Sequence, residues 1–127
     1  MTEPRLRLTN ADGDTWDDPS EEQIDRHYSR LNLRHRFLVL ERLDVPAPEA
    51  GEHYLQLALN DDFSVVIEYR EGGADAHYRA EVTTPSDWGG DEIARPVLLD
   101  WAAGRPGWRG GLEWVRWDTE GERPWGA

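Results

Sequence analysis

The sequence predicts an α+β fold, an antiparallel sheet of about four to six strands packed on one face by two helices. Runs between Arg36 and Thr83 alternate apolar and polar residues as half-buried strands do. Turn residues separate these runs, and two segments with helical spacing lie outside them.

"RLRLT", Arg5 to Thr9, alternates and reads as a short first strand, whereas "NADGDTWDD", Asn10 to Asp18, reads as a polar turn with four aspartates. A helix is expected from Pro19 to Leu31. Asp18 or Ser20 can cap it, Pro19 suits its first turn, and Glu21 and Glu22 favour the positive end of its dipole. Ile24, Tyr28 and Leu31 then form one apolar stripe.

"RFLVLERL", "EHYLQLAL", "FSVVIEYR" and "HYRAEVT" read as successive strands, with the proline-bearing "DVPAPEAGE" as a loop after the first. Pairing apolar faces sets Leu57 opposite Val65 and Leu55 opposite Ile67, with Asn60, Asp61 and Asp62 as the hairpin loop. The next hairpin sets Tyr69 opposite Tyr78 and Glu68 opposite Arg79 across "GGAD". The outer face then carries Tyr54, Glu68 and Arg79 in one row.

"DEIARPVLLDWAAG" has helical spacing, with Asp91 as cap, Ile93, Val97 and Trp101 as its stripe, and Gly104 as its stop. Pro96 either kinks this helix or marks its first turn. "GLEWVRW" alternates as a last strand, with Leu112, Trp114 and Arg116 on one side and Glu113, Val115 and Trp117 on the other. The expected core contains Ile24, Leu31, Leu55, Leu57, Val65, Ile67, Val97, Trp101 and Trp114. The 127 residues suit a single domain, 1–127, with a flexible tail from about residue 119.

Composition narrows the function. With 26 acidic against 14 basic residues the formal net charge is −12, which disfavours nucleic acid and anionic membrane and attracts basic partners. The absence of cysteine removes disulfides and thiolate zinc sites. "MTEPRLRLTN" lacks a signal-peptide core and no apolar run approaches a membrane span, so a cytoplasmic location is expected.

Chemistry-bearing patterns are sparse. Asn10, Asp12, Asp14, Asp18 and Glu21 match ligand positions of a calcium loop, but Thr15 stands where the sharp turn needs glycine and Pro19 intrudes. His27, His35, His53 and His77 lack metal-binding spacing, and no serine sits in a nucleophile elbow. No metal, cofactor or catalytic residue is therefore expected. The outer-face group Tyr54, Glu68, Arg70, His77 and Arg79 is the one acid/base candidate, weighed against a structural ion pair. Trp101 and Trp114 are expected in the core, and Trp88 and Trp125 on the surface.

"VVIEYREGGADAHYRA", Val65 to Ala80, and "VLLDWAAGRPGWRGGLEW", Val97 to Trp114, resemble the first-numbered immunity protein family of bacterial polymorphic toxin systems. Glu68 and Trp114 match that family's prominent glutamate and tryptophan. The resemblance implies a non-enzymatic antidote that binds and blocks a cognate toxin domain. A toxin acting on nucleic acid needs a basic cleft, which suits an acidic antidote. The expected partner contacts are Asp12, Asp14, Asp17 and Asp18 of the acidic turn, with Asp87 and Trp88. The competing classes are an enzyme or small-ligand binder using the outer sheet face, and a generic acidic interaction module.

Overall fold

A computed structural model describes residues 3–85 and 89–126. Strands β1 (Leu6–Asn10) and β2 (Thr15–Asp17) form a hairpin, followed by helix α1 (Glu21–Ser29). Strands β3 (Phe37–Arg42), β4 (His53–Leu59), β5 (Val65–Glu71) and β6 (His77–Val82) then run as a meander. Helix α2 (Gly90–Ala103) and a 3-10 segment (Pro106–Gly110) precede β7 (Val115–Asp118) and β8 (Arg123–Pro124).

The fold is α+β, and the described residues form one antiparallel sheet of eight strands in the order β2-β1-β3-β4-β5-β6-β7-β8. This exceeds the expected four to six. The excess comes from β2, inside the expected polar turn, and β8, inside the C-terminal segment. Both are too short to show a period, and pairing with a longer neighbour makes them strands.

One face of the sheet is apolar because alternate residues point the same way. Leu8, Leu40, Leu55, Tyr69 and Tyr78 form one cross-strand row, and Leu38, Leu57, Ile67 and Ala80 the next. These rows share a buried cluster with Ile24 and Tyr28 of α1 and Val97, Leu98 and Trp101 of α2. Leu8, Leu55, Leu57 and Ile67 have 0% exposure, so they lie at its centre.

The β5–β6 register is as expected, with Glu68 opposite Arg79 and Tyr69 stacked on Tyr78 at 4.9 Å between ring centroids. The β4–β5 register differs. Leu57 lies opposite Ile67 and Leu55 opposite Tyr69, so the same residues point inward but the ladder is displaced. The turn explains it. Phe63, which strict alternation with Val65 and Ile67 would point inward, adopts φ +68 and donates its N–H to the Asn60 carbonyl, while the Asn60 N–H bonds to the Ser64 carbonyl. The loop is therefore Asp61 to Phe63, closed by a left-handed residue as in a bulged hairpin. Asp62 fixes this shape by accepting from the Ser64 backbone and hydroxyl, which hold its carboxyl below the usual range.

Helix α1 is capped by Ser20, not Asp18. Ser20 Oγ accepts from the Gln23 N–H at 3.1 Å, and Gln23 Oε1 accepts from the Ser20 N–H at 2.8 Å, a reciprocal capping box. In α2 the buried stripe is Ala94, Val97, Leu98 and Trp101. Ile93, expected to begin it, is 40% exposed, and Pro96 lies inside the helix. Gly89 stands at the cap in place of Asp91, and Gly104 ends the helix at φ +76. Gly90 is required sterically, since a Cβ there would stand 2.2 Å from the Thr84 carbonyl oxygen.

Trp101 is buried as expected, while Trp114 is half-buried. The fully packed partner in this region is Trp108, which the expected core omitted. It meets Tyr69 edge-on at 4.7 Å, and Trp114 meets the same ring in the same way. The aromatic density of Gly104 to Asp118 thus closes the core over β5 and β6.

Candidate functional site

The acidic turn is a hairpin with its own internal bonding. Asn10 Oδ1 accepts from the N–H groups of Asp12 and Asp14, and the Gly13 N–H reaches the Asn10 carbonyl. Asn10 thus turns its side-chain oxygen onto amides, away from the inward ligand position of a calcium loop. Among the described residues, no group of three or more His, Asp or Glu is arranged to hold a metal ion.

The four aspartates divide into two pairs. Asp12 and Asp14 lie exposed at the hairpin tip, with Asp12 Oδ1 3.1 Å from His35 Nδ1. Asp17 and Asp18 sit at the other end of β2, about 10 Å away at strand rise. Asp17 pairs with Arg7 at 2.8 Å, which holds its carboxyl below the usual range. Asp18, at φ +49, accepts from the N–H groups of Arg5 and Leu6 and so anchors the start of β1. Asp87 and Trp88 lie outside the described residues.

Beside the tip lies a cleft of about 280 Å³ lined by Trp16, His27, Leu31, His35, Phe37 and the two tip aspartates, among others. Trp16 packs on His27 with ring centroids 4.1 Å apart. Burial holds the His27 imidazole below its ordinary value, with Arg30 and Arg26 adding in the same direction. Sequence reasoning missed Trp16 and Phe37 as cleft residues. The signal for Trp16 was positional, since it is the one large apolar residue between Thr15 and Asp17.

The outer face of the sheet gathers a polar network around His77. Its rows are Tyr54, Arg70 and His77, then Gln56, Glu68 and Arg79, which corrects the expected row Tyr54, Glu68, Arg79. His77 is only 2% exposed. Arg70 Nε lies 3.1 Å from His77 Nδ1, and Glu68 Oε1 lies 3.2 Å from His77 Nε2. An arginine only donates, so Nδ1 accepts and Nε2 carries the proton given to Glu68. Arg70 also bonds to Glu52 at 2.8 Å. Glu68 therefore pairs with His77, while Arg79 turns to Glu81 at 3.4 Å and stacks over Trp117 at 4.5 Å. Burial raises the Tyr54 phenol, against the opposing effect of Arg70.

A base needs a free lone pair, and the Arg70 guanidinium occupies that of His77 Nδ1. The network suits a rigid, fully bonded patch of sheet surface. Comparison with known protein families, curated proteins and solved structures found no match.

Proposed function

We propose that this protein works by binding a basic protein partner, a toxin domain of the kind the sequence resemblance implies, and performs no reaction of its own. The observation that carries the reading is the exposed Asp12 and Asp14 pair beside an aromatic cleft, in a chain of net charge −12. Exposed carboxylates raise the encounter rate with a basic surface, and a cleft gives the complex a place to anchor. At about 280 Å³ the cleft has room for a large protein side chain. Asp17 and Asp18 are committed to Arg7 and the β1 backbone, so steering falls mainly to the tip pair.

The competing reading, an enzyme or ligand binder at the outer sheet face, draws less support because both ring nitrogens of His77 are engaged. Co-expression with a toxin domain encoded beside this gene tests the proposal. Growth rescue with an isolable complex is expected. Cell death despite abundant folded protein, with no complex at low salt, refutes it.

A further inference from the structure

The ladder between β6 and β7 is short. The ladder pairs Tyr78 with Arg116 and Arg79 with Val115, and then stops. Continued in register it would set Ala80 opposite Trp114 and Glu81 opposite Glu113. Like charges directly opposite each other destabilise a ladder. Both glutamates are exposed, and among the described residues Glu81 has only its 3.4 Å pair with Arg79 while no ion pair involves Glu113.

The strands part there, and a depression opens on each side. One of about 570 Å³ on the outer face is lined by Val115, Trp117 and Pro124 with both glutamates, and by Arg79, which stacks over Trp117 and leaves Glu113 as the carboxylate with no cation beside it among the described residues. The other, about 430 Å³ on the α2 side, is lined by Ile93 and Leu112 with the same two glutamates. Val115 and Ile93 are 44% and 40% exposed, so each depression has an unburied apolar side chain. Among the described residues, no strand pairs with Ala80 to Val82 on the β7 side.

We infer that this cleft receives an extended, basic segment of the protein partner, with an arginine or lysine between Glu81 and Glu113. Alternate side chains of an added strand point to opposite faces, which is how two depressions flanking one edge are filled together. The occupant is basic because a cation between the two exposed glutamates complements their like charge. The residues flanking it point to the α2 side and cover Ile93 there, while the aliphatic stem of the cation lies along Val115 on the outer face. The partner's nature rests on the proposed function, but the cleft is separate from the acidic hairpin.

A peptide of alternating arginine and valine, titrated into the labelled protein and followed by backbone amide shifts, tests this. Shifts are expected at Ala80 to Thr83 and Gly110 to Val115, with none from a glutamate–valine counterpart. Glu113→Arg places opposite charges across the ladder, closes the cleft and should weaken the peptide at least about tenfold. Glu81→Gln with Glu113→Gln should weaken it comparably while leaving the fold intact. Shifts confined to Asp12 and Asp14, equal binding of both peptides, an unaffected Glu113→Arg variant, or self-association through the cleft would each overturn the inference. Rescue from the toxin is scored separately, so failed rescue with intact peptide binding removes the functional reading alone, and the reverse removes the cleft alone.

Discussion

Tyr28 Oη donates to Asp91 Oδ1 at 2.7 Å, joining α1 to α2 across 63 residues of sequence. The tyrosine is 5% exposed, and its phenol is raised well beyond the ordinary value by burial first and the carboxylate second. Tyr28→Phe keeps the ring and removes the donor. A hydrogen bond to a charged group contributes about 1.5 to 3 kcal/mol. Arg95 Nη2 stays 3.9 Å from Asp91 and partly compensates, so the expected loss is at the low end, read as a lower urea midpoint with unchanged slope.

The tryptophans of Gly104 to Asp118 should rank by burial. Trp108→Ala is expected to cost about 3 to 5 kcal/mol, as for other buried aromatic truncations. Trp114→Ala should cost less, because that ring is only half-buried, even though its loss also removes the bond from Nε1 to the Trp108 carbonyl at 3.3 Å. Equal losses in denaturant titration would mean that Trp108 does not hold the aromatic cluster together.

His27 gives the fold a pH dependence. Its folded value is depressed, so the folded state resists protonation more than the unfolded chain does. Stability from this group is present above the ordinary histidine value of about 6.5 and is lost as pH falls from there toward the folded value. His27→Gln should flatten the curve of melting temperature against pH between about 5 and 7. A wild-type protein that gains stability on acidification through that window would contradict the burial of this ring against Trp16.

Ser20→Ala removes the side-chain acceptor of the capping box and should cost about 1 kcal/mol. Asp18→Ala should act elsewhere, freeing the Arg5 and Leu6 amides to exchange with solvent. Hydrogen exchange separates the two, since the first variant should loosen Gln23 and the second the start of β1.

Much of this architecture was legible because the inward residues of β4, β5 and β6 repeat strictly, and any even displacement preserves their face. That same freedom hid the β4–β5 register. The deciding residue is Phe63 in a left-handed conformation that glycine or asparagine would have advertised. Trp108 escaped notice because a 3-10 segment has no apolar period, and α2 buries Ala94 and Leu98 beside an exposed Ile93 that scores as more hydrophobic than alanine. Of the candidate site, the acidity was plain, but composition does not say which carboxylates are already bonded. Asp17 to Arg7 and Asp18 to the β1 amides depend on the hairpin forming first.

The association rate with the isolated toxin domain, measured against ionic strength, tests the central claim most directly. Steering by the acidic hairpin predicts a rate that falls steeply with salt, and Asp12→Asn with Asp14→Asn should lower both the rate and its salt dependence while leaving dissociation nearly unchanged. A rate indifferent to salt, or one the double variant leaves unaltered, would contradict the account.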